Sequence, residues 1–332
     1  MKILVTGGAG YVGSVCAEVL LERGHSVVVF DNLAEGHPQA VPAGAAFIDG
    51  DLADREGLDR LFASHRFDAV MHFAARALVE ESVRKPGAYF VANVANSIHL
   101  LDAMLRHEVK QLVFSSTAAI YGEPEVVPIP EEHRAAPINP YGRTKLAFER
   151  ILEDCRISAG LRYASLRYFN AAGATREHGE DHRQETHIIP ILLQVALGQR
   201  PHFEIRGTDY ATPDGTCIRD YVHVLDIAEA HVLALDQLER ASGQVFNVGS
   251  NRGNSVLEAL EATRRMTRCP IPAMAAGRRA GDPPVLVASS QKIQRELGWQ
   301  PRFSNLETIV ESAWAWKQEF PHGYEGSQPN AR

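Results

Sequence analysis

The sequence is poor in cysteine. It has four in 332 residues (Cys16, Cys155, Cys217 and Cys269), with no Cys-x-x-Cys pair. That excludes a zinc ribbon or a disulfide scaffold and leaves four small apolar side chains suited to a reducing compartment. No apolar run approaches the roughly 18 residues that a membrane helix needs. Only Ile3–Val5 precede the first glycines, too few for the apolar stretch of a signal peptide. A cytoplasmic location without a membrane partner is therefore expected. Positive charge is not in excess: the formal net charge is -7, which argues against a nucleic-acid partner. A small anionic ligand stays possible, because a few arginines override a weak overall field locally. Repeats of solenoid period and low-complexity tracts are absent too.

What is present is ordinary globular material, long enough for one large domain or two modest ones. Residues 2–6 form a short apolar run that ends in glycines, and Val12, Val15, Cys16, Val19 and Leu20 then follow a helical spacing. Gly24-His25 stops that helix, and Ser26–Phe30 is a β-branched strand ending at Asp31. The βαβ rhythm continues through strands at 46–48, 69–73, 112–115 and 163–168. Helices are expected at 55–65, 86–107 and 141–157. Apolar strands alternating with helices predict an α/β fold, a Rossmann-type doubly wound parallel sheet covered on both faces. After about residue 170 the rhythm loosens. The expectation is a dinucleotide-binding domain over 1–170 and a smaller mixed α/β lobe over 171–324, with segments around 224–248 returning to the first. Helices are expected there at 187–197, 224–238, 255–265 and 304–316.

Gly7-Gly8-Ala9-Gly10-Tyr11-Val12-Gly13 sits between the first strand and the first helix. Glycines there allow a tight turn and close approach to a pyrophosphate, which the helix N-terminus attracts. Asp31, 18 positions after Gly13, is placed to accept both ribose hydroxyls of an adenosine. It would repel a 2′-phosphate, and Asn32-Leu33-Ala34-Glu35 offers no cation, so NAD is expected over NADP. A turn or helix cap is the plainer account of Asp31. Asp51-Leu52 can meet the adenine edge or simply cap the next helix.

Asn139-Pro140-Tyr141-Gly142-Arg143-Thr144-Lys145 looks like a helix start, with Asn139 as cap and Pro140 in the first turn. Tyr141 and Lys145 then share one face. An ammonium, a helix N-terminus and a nicotinium ring would each favour the phenolate. Tyr-x-x-x-Lys alone is a common coincidence; behind a dinucleotide turn it reads as a proton acceptor for alcohol oxidation. Ser115-Ser116-Thr117 ends the preceding strand, on the edge where α/β sheets bind ligands.

The G-x-x-G-x-x-G turn with Tyr141 and Lys145 resembles the extended short-chain dehydrogenase/reductase family. His72-Phe73-Ala74-Ala75, Asn93, Leu166–Asn170, Gly215–Val224 and Arg278–Pro283 narrow the resemblance to its UDP-glucose 4-epimerases, from Met1 to about Tyr324. The resemblance implies NAD as cofactor, a UDP-sugar as substrate and a homodimer built from the 86–107 and 141–157 helices. It implies catalysis by Tyr141, Lys145 and Thr117. Cofactor contacts are implied for Gly7, Gly10, Tyr11, Val12, Gly13, Asp31, Asn32, Asp51, Leu52, Phe73, Ala74, Ala75, Asn93, Ser115 and Tyr168, besides Tyr141 and Lys145. Arg219 and Arg279 would grip the UDP pyrophosphate, with Asp282 on the uridine ribose; Asn170 and His187 would complete the substrate contacts beside Thr117 and Tyr141.

Related dehydratases carry an acidic pair directly after the threonine, where this chain has Ala118 and Ala119. Epimerisation is thus implied, of UDP-galactose and UDP-glucose or of an N-acetylated, pentose or uronate analogue. A non-catalytic NAD-binding protein is the remaining alternative. Ala77 stands where one subgroup has a lysine, that subgroup also has an asparagine near His187, and Leu286 falls at the sugar gate. His178, His182 and His187 lack metal-ligand spacing, so no metal is expected and the loop reads as solvated or substrate-facing.

Overall fold

The computed structural model describes residues 1–279 and 282–324. Among them, seven parallel strands form the main sheet: β1 (Lys2–Thr6), β2 (Ser26–Asp31), β3 (Ala46–Asp49), β4 (Ala69–His72), β5 (Gln111–Thr117), β6 (Arg162–Tyr168) and, last in the chain, Gln244–Val248. Their spatial order is Gln244–Val248, β6, β5, β4, β1, β2, β3. The order reverses at β1, which pairs with β2 on one side and β4 on the other. A ligand crevice opens at such a switch point, beyond the carboxyl ends of the strands.

Side-chain alternation builds the two faces. Ile3, Val5, Val27 and Val29 join one buried cluster with Val15, Val19 and Leu20 of helix α1 (Tyr11–Glu22). Leu4, Val28, Phe30, Leu112 and Phe114 join the opposite one, under Leu58 and Leu61 of α2 (Arg55–Ser64). A third cluster, centred on Leu192, Leu193, Leu260 and Ile309, is the core of the later lobe. There the Ile218–Arg219 strand lies between Asn254–Ser255 and Val285–Leu286.

The helix expected over 86–107 is instead interrupted. Val79–Arg84 precedes it, Pro86–Phe90 begins it, Val91–Ala95 is a π-turn and Asn96–Arg106 completes it. The π-turn contains Asn93, whose amide donates to Thr144 Oγ1 at 3.1 Å and to the Arg76 carbonyl at 2.9 Å. A further helix, Gln291–Leu297, was not expected.

Candidate active site

The dinucleotide turn is shaped by backbone contact. A Cβ on Gly13 would stand 2.2 Å from the Gly7 carbonyl oxygen, and one on Gly7 would stand 2.4 Å from the Ala74 nitrogen. Gly7 also has φ +73°, which other residues adopt only under strain. Gly10 precedes α1 without a side-chain cap, so the first N–H groups of that helix are left to an outside acceptor. Gly13→Ala should therefore push the turn apart. Purified variant is expected to carry little dinucleotide and to unfold at lower denaturant by about 1–3 kcal/mol, read from its absorbance ratio and an unfolding curve.

Asp31 is buried at the end of β2. Its carboxylate accepts from Ala9 N–H at 3.0 Å and Leu33 N–H at 2.9 Å, tying the glycine turn to the loop beyond. Burial raises its pKa, against the lowering from those two N–H groups. Asn32 donates to Asp51 at 2.8 Å, joining two of the expected adenosine contacts. Beside them a cavity of about 290 Å³ is lined by Phe30, Ile48, Asp51 and Leu61. Leu52 is buried in the adjoining core. Phe73, Ala74 and Ala75 follow β4 across the crevice, the Phe73 and Ala74 N–H groups both bonded to the Thr6 carbonyl. Asn93 braces 76 against the 140–159 helix, as described above, instead of presenting a free amide.

The Pro140–Ala159 helix begins where expected. Asn139 Oδ1 caps it by accepting from Gly142 N–H at 2.9 Å. A Cβ on Gly142 would meet the Ala119 carbonyl oxygen at 2.4 Å, so glycine lets the first turn lie against the segment that follows β5. Tyr141 lies there beside Thr117, whose hydroxyl acts to lower the pKa of the phenol. One turn on, Lys145 is buried and its Nζ donates to the Ser115 carbonyl at 2.8 Å. Ser115 Oγ pairs with the Tyr168 hydroxyl at 2.7 Å.

Burial raises the Tyr141 pKa, and only the Thr117 hydrogen bond works against it. Burial likewise lowers the Lys145 pKa to about 7, partly offset by the Glu149 carboxylate. A dry ammonium is too costly to serve as a strong field source unless an anion or ligand group compensates it.

Glu149 is one of several site residues that the sequence reading missed. It accepts from Arg167 Nη2 at 2.6 Å and Nε at 3.0 Å, and from Ser116 Oγ at 2.6 Å. Its place four residues after Lys145 and a lone arginine inside an apolar strand were the available signals.

In the later lobe Arg219 is buried and forms an ion pair with Asp282. Arg279 is exposed, and its carbonyl accepts from Asp282 N–H at 3.3 Å. Ala280 and Gly281 of the same motif lie outside the described residues. Tyr221, also unforeseen, stands beside Arg219 and Asp282 with a buried hydroxyl that has no hydrogen-bond partner, and the buried Tyr210 hydroxyl has only the Cys217 thiol near it. Buried hydroxyls of this kind mark a place for a polar ligand. Cys217 packs among them and burial raises its thiol. Leu286 is half-buried, in register with Arg219. Asn170 opens the short strand that pairs with Tyr221–His223.

The 173–187 loop is less solvated than expected. His178 is buried, and Glu180, His182 and His187 converge with their donor atoms within 4.8 Å of one another. Spacing alone did not show this, because Glu180 was not read as their partner.

A glycine-cradled helix N-terminus, a buried acid after β2 and a Tyr–Lys–Thr group beyond β5 define a dinucleotide-dependent enzyme of the α/β class. The model of the NAD dependent epimerase/dehydratase family matches residues 3–249, and the chain belongs to that family. It is 53% identical over 328 residues to the UDP-glucose 4-epimerase of Halalkalibacterium halodurans, covering 98% of both chains. It superimposes on a crystal structure of a UDP-glucose 4-epimerase with a TM-score of 0.95, at 50% identity over 98% of this chain and 99% of that one. The Bifidobacterium longum UDP-glucose 4-epimerase, solved with NAD+ and UDP, gives a TM-score of 0.93 at 36% identity, over 98% and 100% of the chains.

Proposed function

We propose that this chain is a UDP-glucose 4-epimerase, interconverting UDP-galactose and UDP-glucose through a transient 4-keto sugar. The observation that carries the reading is Tyr141 against Thr117 with Lys145 one turn on, and alanines at 118 and 119. Full-length relatives bearing that activity support it.

NAD, cradled at Gly7–Gly13, Asp31 and Lys145, supplies a reversible hydride acceptor when bound. Thr117 orients the sugar 4-hydroxyl, and Tyr141 takes its proton and later returns it. Lys145, anchored on Ser115, positions the cofactor side of the site. Arg219, Arg279 and Asp282 hold the UDP, because guanidinium forks fit phosphate oxygens. Remote anchoring of the nucleotide lets the sugar turn over and present its other face. Without a carboxylate after Thr117, no side chain there can eliminate water from the keto sugar, which separates epimerisation from dehydration.

The partner in solution is a second copy of the chain. Exposed Val83, Phe90, Val91 and Ile157 lie on the helices of 79–106 and 140–159, a pattern that suits a helical interface. No helix among the described residues is long and apolar enough to cross a membrane. With four free cysteines, the chain suits the cytoplasm.

The test is a coupled assay on purified protein with UDP-galactose and no added NAD. UDP-glucose should form without net change in reduced nucleotide. Failure by protein that carries NAD would move the assignment to N-acetylated, pentose or uronate sugars at the Leu286 gate.

A further inference from the structure

Segment 173–187 joins the short strand Asn170–Ala172 to the Ile188–Ala196 helix. Its contacts fall on the two elements that carry the dinucleotide site. The Tyr11 hydroxyl, from the first residue of α1, donates to the Gly173 carbonyl at 2.6 Å. Arg183 Nε donates to the Ala34 carbonyl at 3.2 Å, three residues beyond Asp31. His37 Nε2 lies 3.0 Å from the Asp181 carbonyl oxygen. The 31–37 loop is itself folded onto the glycine turn, His37 N–H donating to the Ala9 carbonyl at 2.9 Å. The segment therefore spans from the pyrophosphate end of the cradle to the adenosine-ribose end.

Its root is a hydrogen-bonded charge network. Glu180 Oε1 lies 2.9 Å from His187 Nδ1 and 3.2 Å from His182 Nε2, and Glu185 Oε1 lies 3.0 Å from His187 Nδ1. Both glutamate side chains are nearly buried. Such a donor set could suit a divalent metal. Here, however, each atom already lies within hydrogen-bond distance of another, and two carboxylates face two imidazoles. Burial works against charge on His187, but the glutamates hold its pKa well up. A protonated imidazole has no lone pair for a metal. The network is better suited to holding the loop than to binding an ion. The His182 ring meets the Tyr11 ring edge-on at 6.4 Å, which ties the network back to α1.

We infer that residues 173–187 form a strap across the bound dinucleotide that keeps one NAD molecule in place through successive turnovers, with Arg183 as its latch and the Glu180–His182–His187 network as its root. This rests on the epimerase reading. Epimerisation would leave the cofactor with no net change of oxidation state, so one bound NAD would serve every turnover. A cofactor lost in mid-cycle would strand a keto sugar in the site. Slow release is thus a requirement of the chemistry, and the strap is a structure that meets it without touching the reacting atoms.

The experiment follows exchange of resident NAD against isotopically labelled NAD in the full-length protein. Arg183→Ala removes the charge-assisted hydrogen bond to the Ala34 carbonyl and should speed exchange by about tenfold. Arg183→Lys, which keeps the charge, should fall between. His37→Phe keeps the ring and loses the bond to Asp181, giving a second reading independent of Arg183. Saturating NAD should restore turnover in both, a rescue that a misfolded variant would not show. Unchanged exchange in both Arg183→Ala and His37→Phe would overturn the strap. Wild-type protein that neither holds nor takes up NAD would instead overturn the epimerase reading beneath it.

Discussion

Replacing Tyr141 by Phe is expected to lower kcat by about 10²–10⁴-fold while leaving the protein loaded with NAD. The hydroxyl is the only part removed. The ring still fills its place at the helix start, and Lys145 still has the Ser115 carbonyl as acceptor. Cofactor content, measured by acid release and enzymatic assay, should match wild type. A rate within a few-fold of wild type would remove Tyr141 as the proton acceptor. Thr117→Val should show a smaller loss, because it orients the sugar hydroxyl without carrying the proton. The pH profile should shift as well: burial raises the phenol, so the ionised form is scarce at neutral pH unless the loaded site stabilises it. The rate should therefore rise with pH until that ionisation is complete.

The second large effect is on folding. Glu149 and Arg167 form an ion pair whose side chains are only 6% and 7% exposed. Arg167 also donates to the Tyr121 hydroxyl at 3.0 Å, which in turn donates to Asn247 at 2.7 Å. The pair thus joins the 140–159 helix, β5, β6 and the last strand of the sheet. Glu149→Ala leaves a buried guanidinium without a counter-charge and should cost about 3–5 kcal/mol in urea unfolding. Glu149→Leu combined with Arg167→Met should recover part of that loss, because the uncompensated charge is gone. A single variant as stable as wild type would mean that water reaches the pair and screens it. The same glutamate supports charge on Lys145 against burial. The single variant should therefore also lose activity at neutral pH beyond what its stability explains.

Local spacing carried much of the architecture. The continuous apolar runs of 2–6 and 26–31 mark strands buried on both faces, and the strand–glycine–helix succession dictates a parallel sheet. Gly7, Gly10 and Gly13, the capped start of the 140–159 helix and the shared face of Tyr141 and Lys145 were all legible, because each depends on residues a few positions apart. The π-turn at 91–95 was not. Within it the Asn93 side chain binds Thr144, fifty-one positions away, a contact that no local spacing encodes.

The sequence by itself determined the doubly wound parallel sheet, the dinucleotide turn with its acid, and the tyrosine, lysine and threonine of the site. Only the tertiary structure decided what surrounds them. It set the Lys145 pKa through burial, paired Glu149 with Arg167, left the Tyr221 hydroxyl unpartnered, and drew Glu180 against His182 and His187 beside Tyr11. Periodicity and capping are properties of neighbouring residues. Burial, charge pairing and solvent exclusion depend on which distant segments come together, and no spacing rule encodes that.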